Sequence, residues 1–148
     1  MKPINQMRIK FKSASSNEGF ARVSVAAFIA SLDPTAIEIA DIKTAVSEAV
    51  TNCIVHAYRD CVGDITIHTK IYENRRVVIT VSDKGCGIED VGRAMLPLYT
   101  TLPDEERSGL GFSVMQSFTD KVKVRSKVGR GTSVVLEKVL SVKQNANG

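Results

Sequence analysis

Tryptophan is absent from this chain of 148 residues, aromatic residues make up only 5% of it, and its three cysteines (Cys53, Cys61 and Cys86) form no CxxC pair. An odd cysteine count without ligand spacing excludes a disulfide framework and a zinc knuckle, and points to free thiols in a reducing compartment. No run approaches the roughly 20 apolar residues of a membrane span, and MKPINQMRIKF has no apolar stretch before a small-residue cleavage site. A cytoplasmic protein without membrane contact is expected. Gly-Lys-Ser and Gly-Lys-Thr are also missing, which excludes a P-loop, and GLGF lacks the third glycine and the preceding strand of a dinucleotide fingerprint.

What is present is enough for one core. A chain of this length buries about two thirds of its unfolded surface, so a single domain over 1–142 is expected, with KQNANG (143–148) as a disordered tail. The net charge of +4 is uneven: residues 121–148 hold seven Lys or Arg against Glu137 alone, and residues 1–120 hold thirteen against fifteen acids. Lys121, Lys123 and Arg125 alternate with Val122 and Val124, as the wet face of a half-buried strand does. No aromatic residues are interleaved for base stacking, so direct nucleic-acid contact is not expected.

Met7, Ile9 and Phe11 alternate with polar residues and predict a first strand. A helix follows, capped by Asn17 or a neighbouring Ser, with Phe20, Val23, Ala27 and Ala30 at helical spacing as its inward side. Asp33-Pro34-Thr35 then opens a long helix to about residue 57, through a proline first turn or a Thr35 to Glu38 capping box. Ile39, Ile42, Ala45, Val46, Ala49, Val50 and Cys53 form its buried side. DITIHTKIY and RRVVITVSD predict one hairpin about Glu73-Asn74, and KVKVRS and GTSVVLEKVL a second about Val128-Gly129. Between the hairpins lie a loop (84–108) and a helix (110–118). The sum is an α/β two-layer sandwich, a mixed and mostly antiparallel sheet with helices on one face.

Glu48, Asn52 and His56 fall at i, i+4 and i+8 of the long helix, one stripe of neighbours. A carboxylate on a rigid helix can orient a hydroxyl against a γ-phosphate and accept its proton. Mg²⁺ keeps several waters and uses phosphate oxygens, so the single carbonyl oxygen of Asn52 suffices as its protein ligand. His56 and His68 have no second His, Cys or carboxylate at ligand spacing and are expected to be structural. Asp83, at a strand end, is placed to accept a hydrogen bond from an amino group such as the adenine N6 amine. Gly85 and Gly87 after it allow close backbone approach. The loop before the last helix carries Thr100, Thr101, Arg107 and Ser108 and runs into Gly109, Leu110 and Gly111. Backbone N–H groups at a helix start suit a phosphate, so this stretch is expected to act as a phosphate lid. Gly131 and Thr132 form the last glycine cluster.

The order of these elements resembles the GHKL ATPase superfamily, whose Bergerat fold binds ATP. Its helix Asn box is similar to Glu48 and Asn52, its Asp-x-Gly-x-Gly box to Asp83, Gly85 and Gly87, its lid glycines to Gly109 and Gly111, and its last box to Gly131 and Thr132. Within the superfamily, FARVSVAAF (20–28), SEAVTN (47–52) and PLYTTLPDEERSGLGFSVM (97–115) resemble the sporulation anti-sigma-F kinase family. That resemblance implies ATP or ADP with Mg²⁺, a homodimer, inhibition of a sigma-F-type sigma factor, and phosphorylation of a serine on an anti-anti-sigma factor. It implies Glu48 as base, Thr132 as a support for adenine recognition, Arg107 acting from the lid and Arg22 contacting partners. Two other readings remain: an ATP-dependent binding module without transfer, which would need no base, and a detached histidine-kinase catalytic domain, whose phosphoacceptor helices are missing. No His occurs in the first 55 residues.

Overall fold

A computed structural model describes residues 2–96 and 111–142. Strand β1 (Asn5–Lys12) leads into helix α1 (Asn17–Ile29), then α2 (Ala36–Asn52). The hairpin β2 (Asp64–Tyr72) and β3 (Arg76–Asp83), a short α3 (Val91–Ala94), α4 (Gly111–Phe118), and the hairpin β4 (Lys121–Lys127) and β5 (Gly131–Val139) follow. The sheet order is β1-β2-β3-β5-β4 and every pairing is antiparallel. The expected mixed sheet thus becomes a purely antiparallel one. β3 and β4 run in the same direction, but β5 folds back between them and pairs with both. Two successive helices connect β1 to β2, which returns antiparallel to it.

β2 and β3 alternate strictly between buried and half-buried residues, so Ile65, Ile67, Ile71, Val77, Ile79 and Val81 all face the helices. Each such side chain contributes about 1.5–3 kcal/mol by leaving water. α2 lays Ile42, Ala45, Val46, Ala49 and Val50 on them, and Met115 of α4 completes the layer. The start of α2 is the capping box: Thr35 Oγ1 accepts from Glu38 N at 3.1 Å and Glu38 Oε1 from Thr35 N at 2.9 Å. The four-residue α3 is absent from the sequence reading. It rests on an Asp90 cap, Oδ1 accepting from Arg93 N at 3.0 Å, within a loop that has no periodic pattern.

Two local expectations are corrected. α1 buries Ala21, Val25 and Ile29 and leaves Phe20 and Val23 each 54% exposed, with Ala27 and Ala30 outside too. Ala21, Val25 and Ile29 recur every four residues and join the core, while Phe20 packs edge-on against Phe11, ring centroids 6.2 Å apart. Nor does a side chain cap this helix: Asn17 Nδ2 donates to Lys12 O at 2.9 Å instead. Second, the long helix does not run evenly to residue 57. After Asn52 it widens into a π turn, Cys53–Ala57, with Tyr58 N bonded to Cys53 O at 3.1 Å. The wider turn changes the spacing after Asn52, and His56 lines the same cavity as Asn52. Among the described residues no helix is long and apolar enough to cross a membrane.

Candidate functional site

The end of β3, the π turn, the start of α4 and the start of β5 enclose a cavity of about 330 Å³, within the range of small-ligand sites. Asp83 closes one end of it, 9% exposed. Its Oδ1 accepts from Gly85 N at 2.9 Å and Thr132 N at 3.2 Å, and its Oδ2 from Cys53 Sγ at 3.4 Å. Burial raises the Asp83 carboxyl above its ordinary value, and these donors pull it partly back. Burial, with the Asp83 carboxylate beside it, holds the Cys53 thiol well above its usual value, so the sulfur stays protonated and donates. The outcome is an acceptor oriented by the chain on three sides, with lone pairs left for an amine.

The glycines around Asp83 are required by contact. A Cβ on Gly131, where φ is +124°, would stand 2.2 Å from Asp83 O, and one on Gly85 would stand 2.4 Å from Ala57 O. Cys86, to which the sequence assigns no chemical role, is a stitch between segments. Its N–H donates to Ala57 O at 3.2 Å, its thiol to His56 O at 3.3 Å, and its carbonyl accepts from Gly129 N at 2.8 Å. The π turn and the β4–β5 turn are thereby tied to the loop after Asp83. Thr132 lines the cavity, with its hydroxyl 2.8 Å from Ser126 Oγ, which in turn accepts from Ile88 N at 2.6 Å.

At the other end a Cβ placed on Gly111 would meet Asn52 Oδ1 at 3.2 Å and Glu48 Oε2 at 3.5 Å. The first residue of α4 therefore lies against the carboxamide and the carboxylate. Asn52 faces the cavity, whereas Glu48 faces a second and more open hollow of about 540 Å³ bounded by Arg22, Ile39, Lys43 and Ser47. Arg22 Nε donates to Glu18 Oε1 at 3.2 Å, and the same oxygen accepts from Ser47 Oγ. Arg22, remote in sequence from every glycine cluster, is thus in the same hollow as Glu48. Thr100, Thr101, Arg107, Ser108, Gly109 and Leu110 lie outside the described residues.

The structure thus brings Asn52, His56, Asp83, Gly87, Gly111 and Thr132 round one cavity, with Gly85 behind it as a donor to Asp83 and Glu48 beside Gly111. Sequence reasoning missed the walls, which include Ala49, Ile88, Phe112, Val128 and Val134, and it missed the Cys53 thiol. Val134 was within reach, as the next inward position after Thr132 at period two; the thiol contact was not, because it depends on the π turn. Among the described residues no three His, Cys, Asp or Glu gather as a metal cage. Asn52 Oδ1, beside Gly111, is a neutral carbonyl oxygen of the kind that suits an ion keeping most of its own waters.

Residues 12–138 match the model of the histidine kinase-like ATPase domain. The chain is similar to an anti-sigma F factor of Caldanaerobacter subterraneus subsp. tengcongensis, with 58% identity covering 92% of this chain and 94% of that protein. A second, from Pasteuria penetrans, is 51% identical over 95% of each, and one from Clostridium acetobutylicum is 53% identical over 90% and 93%. Among solved structures, the RsbU and RsbW domains of a Mycobacterium tuberculosis protein superpose with a TM-score of 0.70 at 20% identity, over 95% of this chain and 34% of that one. A histidine kinase domain from Erythrobacter litoralis gives 0.55 at 21% identity over 83% and 61%. At such identities the structures speak for the fold.

Proposed function

The chain belongs to the histidine kinase-like ATPase family and, within it, to the anti-sigma F factors, and from that premise we propose that it is a cytoplasmic serine kinase that holds a sigma factor when loaded with ATP. In this reading Asp83 and Thr132 receive adenine, Gly85 and Gly87 let the backbone approach it, and Asn52 holds Mg²⁺ against the phosphates. The lid carries Thr100, Thr101, Ser108, Gly109 and Leu110 to the phosphate tail, and Arg107 offsets its charge. The hydroxyl of an anti-anti-sigma serine attacks the γ-phosphorus, Glu48 takes the hydroxyl proton, and the bond to the bridging oxygen breaks to release ADP. Exchange of ATP for ADP then changes which partner is held, with Arg22 on the partner-facing side of a homodimer.

The observation that carries this reading is the contact of Gly111 with both Asn52 and Glu48. It sets a helix start, the Asn52 carboxamide and the Glu48 carboxylate at one point. A binding module has no use for Glu48 there. Incubating the purified chain with γ-labelled ATP and a partner carrying the acceptor serine tests the proposal. Label on the serine is the expected result, and nucleotide-dependent binding without any label would reduce the protein to a binding module.

A further inference from the structure

The helices cover one face of the sheet, and among the described residues no element lies over the other. On that open face the edge strand β4 presents Lys121, Lys123, Arg125 and Lys127, all exposed and none in an ion pair among the described residues. The opposite edge, β1, presents Arg8, Lys10 and Lys12. In the strand register Arg8 continues through His68, Thr80 and Val135 to Lys123, and Lys10 through Thr66, Ser82 and Ser133 to Arg125. Two rows of cations therefore run side by side, about 19 Å apart at the backbone, across a floor that is largely hydroxyl-bearing. Among the described residues only two acids, Asp64 and Glu137, occupy strand positions on this face. Both are engaged, Asp64 by Lys12 at 2.8 Å and Lys10 at 3.4 Å, Glu137 by Arg76. The sequence exposes only the β4 row as a basic C-terminal run; β1 joins it through the fold.

We propose that this open face binds the phosphate backbone of a nucleic-acid duplex, without reading sequence. Its chemistry selects among anionic partners. A protein partner needs a large desolvated apolar or aromatic anchor near the centre, and lysine is depleted at such interfaces; here the centre is Thr66, Thr80, Ser82 and Ser133 with only the small, half-buried Val78 and Val135 among them. A single strand needs aromatic faces for its bases; among the described strand residues on this side Tyr72 carries the Arg76 guanidinium 4.8 Å from its centroid, and the His68 ring is held at its edges by Arg8 and Gln6. Lys, Arg, Ser and Thr are the side chains that contact duplex phosphates, and the face, on the order of 500 Å², approaches the footprint of a small duplex-binding module. Lysines on edge strands also prevent sheet-to-sheet pairing, but that role does not extend to Lys70, which stands on the same face of the inner strand β2.

The test uses the full chain and a labelled 20-bp DNA duplex, followed by fluorescence anisotropy at low salt and then through a salt titration. Binding with a dissociation constant of about 10⁻⁵ M near physiological salt is expected, falling steeply as salt rises. The R8E/K10E and K123E/R125E variants, checked for folding by unchanged ATP binding, should each weaken the duplex complex about tenfold or more and lower the salt slope by about two. Absence of binding at low salt, or variants that bind as the parent does, overturns the proposal. So does equal displacement by poly-L-glutamate, which would make the face a site for acidic protein, and tighter binding of the 20-nucleotide single strand.

Discussion

At one end of the cavity the Asp83 carboxylate is held by two backbone N–H groups and a thiol, whereas at the other end Glu48 and Asn52 are presented by successive turns of a single helix and are met by Gly111. The first arrangement is part of the fold itself: β3, β5 and the π turn all end on one carboxyl, and the glycines there admit no Cβ. The second is side chains on a rigid support. Changes at Glu48 or Asn52 should therefore alter chemistry while leaving the fold intact, and changes around Asp83 should register in nucleotide affinity and in its pH dependence together.

The largest effect is expected at Glu48. Glu48→Gln keeps the shape and loses the base, so transfer to the acceptor serine should fall by about 10²- to 10⁴-fold with ATP affinity within about twofold of the parent. Single-turnover transfer and nucleotide titration on the same preparation measure both, and parental transfer rates would remove Glu48 from the mechanism. Asn52→Ala comes next: ATP affinity in the presence of Mg²⁺ should drop about 10- to 100-fold, the worth of one contact to a charged group, and in EDTA it should barely change. Equal losses with and without the ion would make Asn52 a plain wall of the cavity.

The two helices on the inner face show why one part of the fold was legible and another was not. α2 has one apolar stripe, polar residues opposite and a capping box, so its phase, its start and its candidate residues follow from spacing. α1 is apolar almost all round, with Phe20, Ala21, Val23, Val25, Ala26, Ala27, Phe28 and Ile29 close together. Several phases satisfy that pattern, and the large residues suggested the wrong one. The fold takes the phase of Ala21, Val25 and Ile29, which residue type alone does not mark, since Val25 is buried and Val23 exposed. The convergence of Asp83, Asn52 and Gly111 was legible because each stands at the end of a well-marked element. The π turn was not, and the Cys53 thiol contact depends on it.

That same shift in phase bears on Arg22. With Ala21 and Val25 inward, Arg22 lies at the border of the buried face, within the hollow that Glu48 also bounds. Arg22→Ala should leave ATP affinity unchanged and weaken binding of sigma factor or anti-anti-sigma factor about tenfold, in the ordinary range for an interfacial arginine. Pull-down of both partners beside a nucleotide titration decides it. Normal partner binding confines Arg22 to its pairing with Glu18, and loss of ATP binding would join the hollow to the nucleotide site.

The smallest effect sharpens the Asp83 end. Burial favours the protonated carboxyl, so in the empty protein its contribution to stability is full at low pH and lost as pH rises through the raised folded value. For adenine the requirement is opposite, since the ionised carboxylate is the better acceptor for the N6 amine. ATP affinity should therefore fall with acidification at a higher pH than an ordinary aspartate would give. The Cys53 thiol donates to Oδ2 and lowers the value, so its removal and its reinforcement should act in opposite directions. Cys53→Ala should move the acid limb of ATP binding to higher pH, and Cys53→Ser, with a stronger donor, to lower pH. At neutral pH both should remain within about twofold of the parent, because a thiol is a weak donor. ATP titrations across the acid range on the three proteins provide the measurement. A packing role alone would change affinity at every pH and leave the position of the limb where it was, so limbs that coincide would show that Cys53 fills space beside Asp83 without setting its charge.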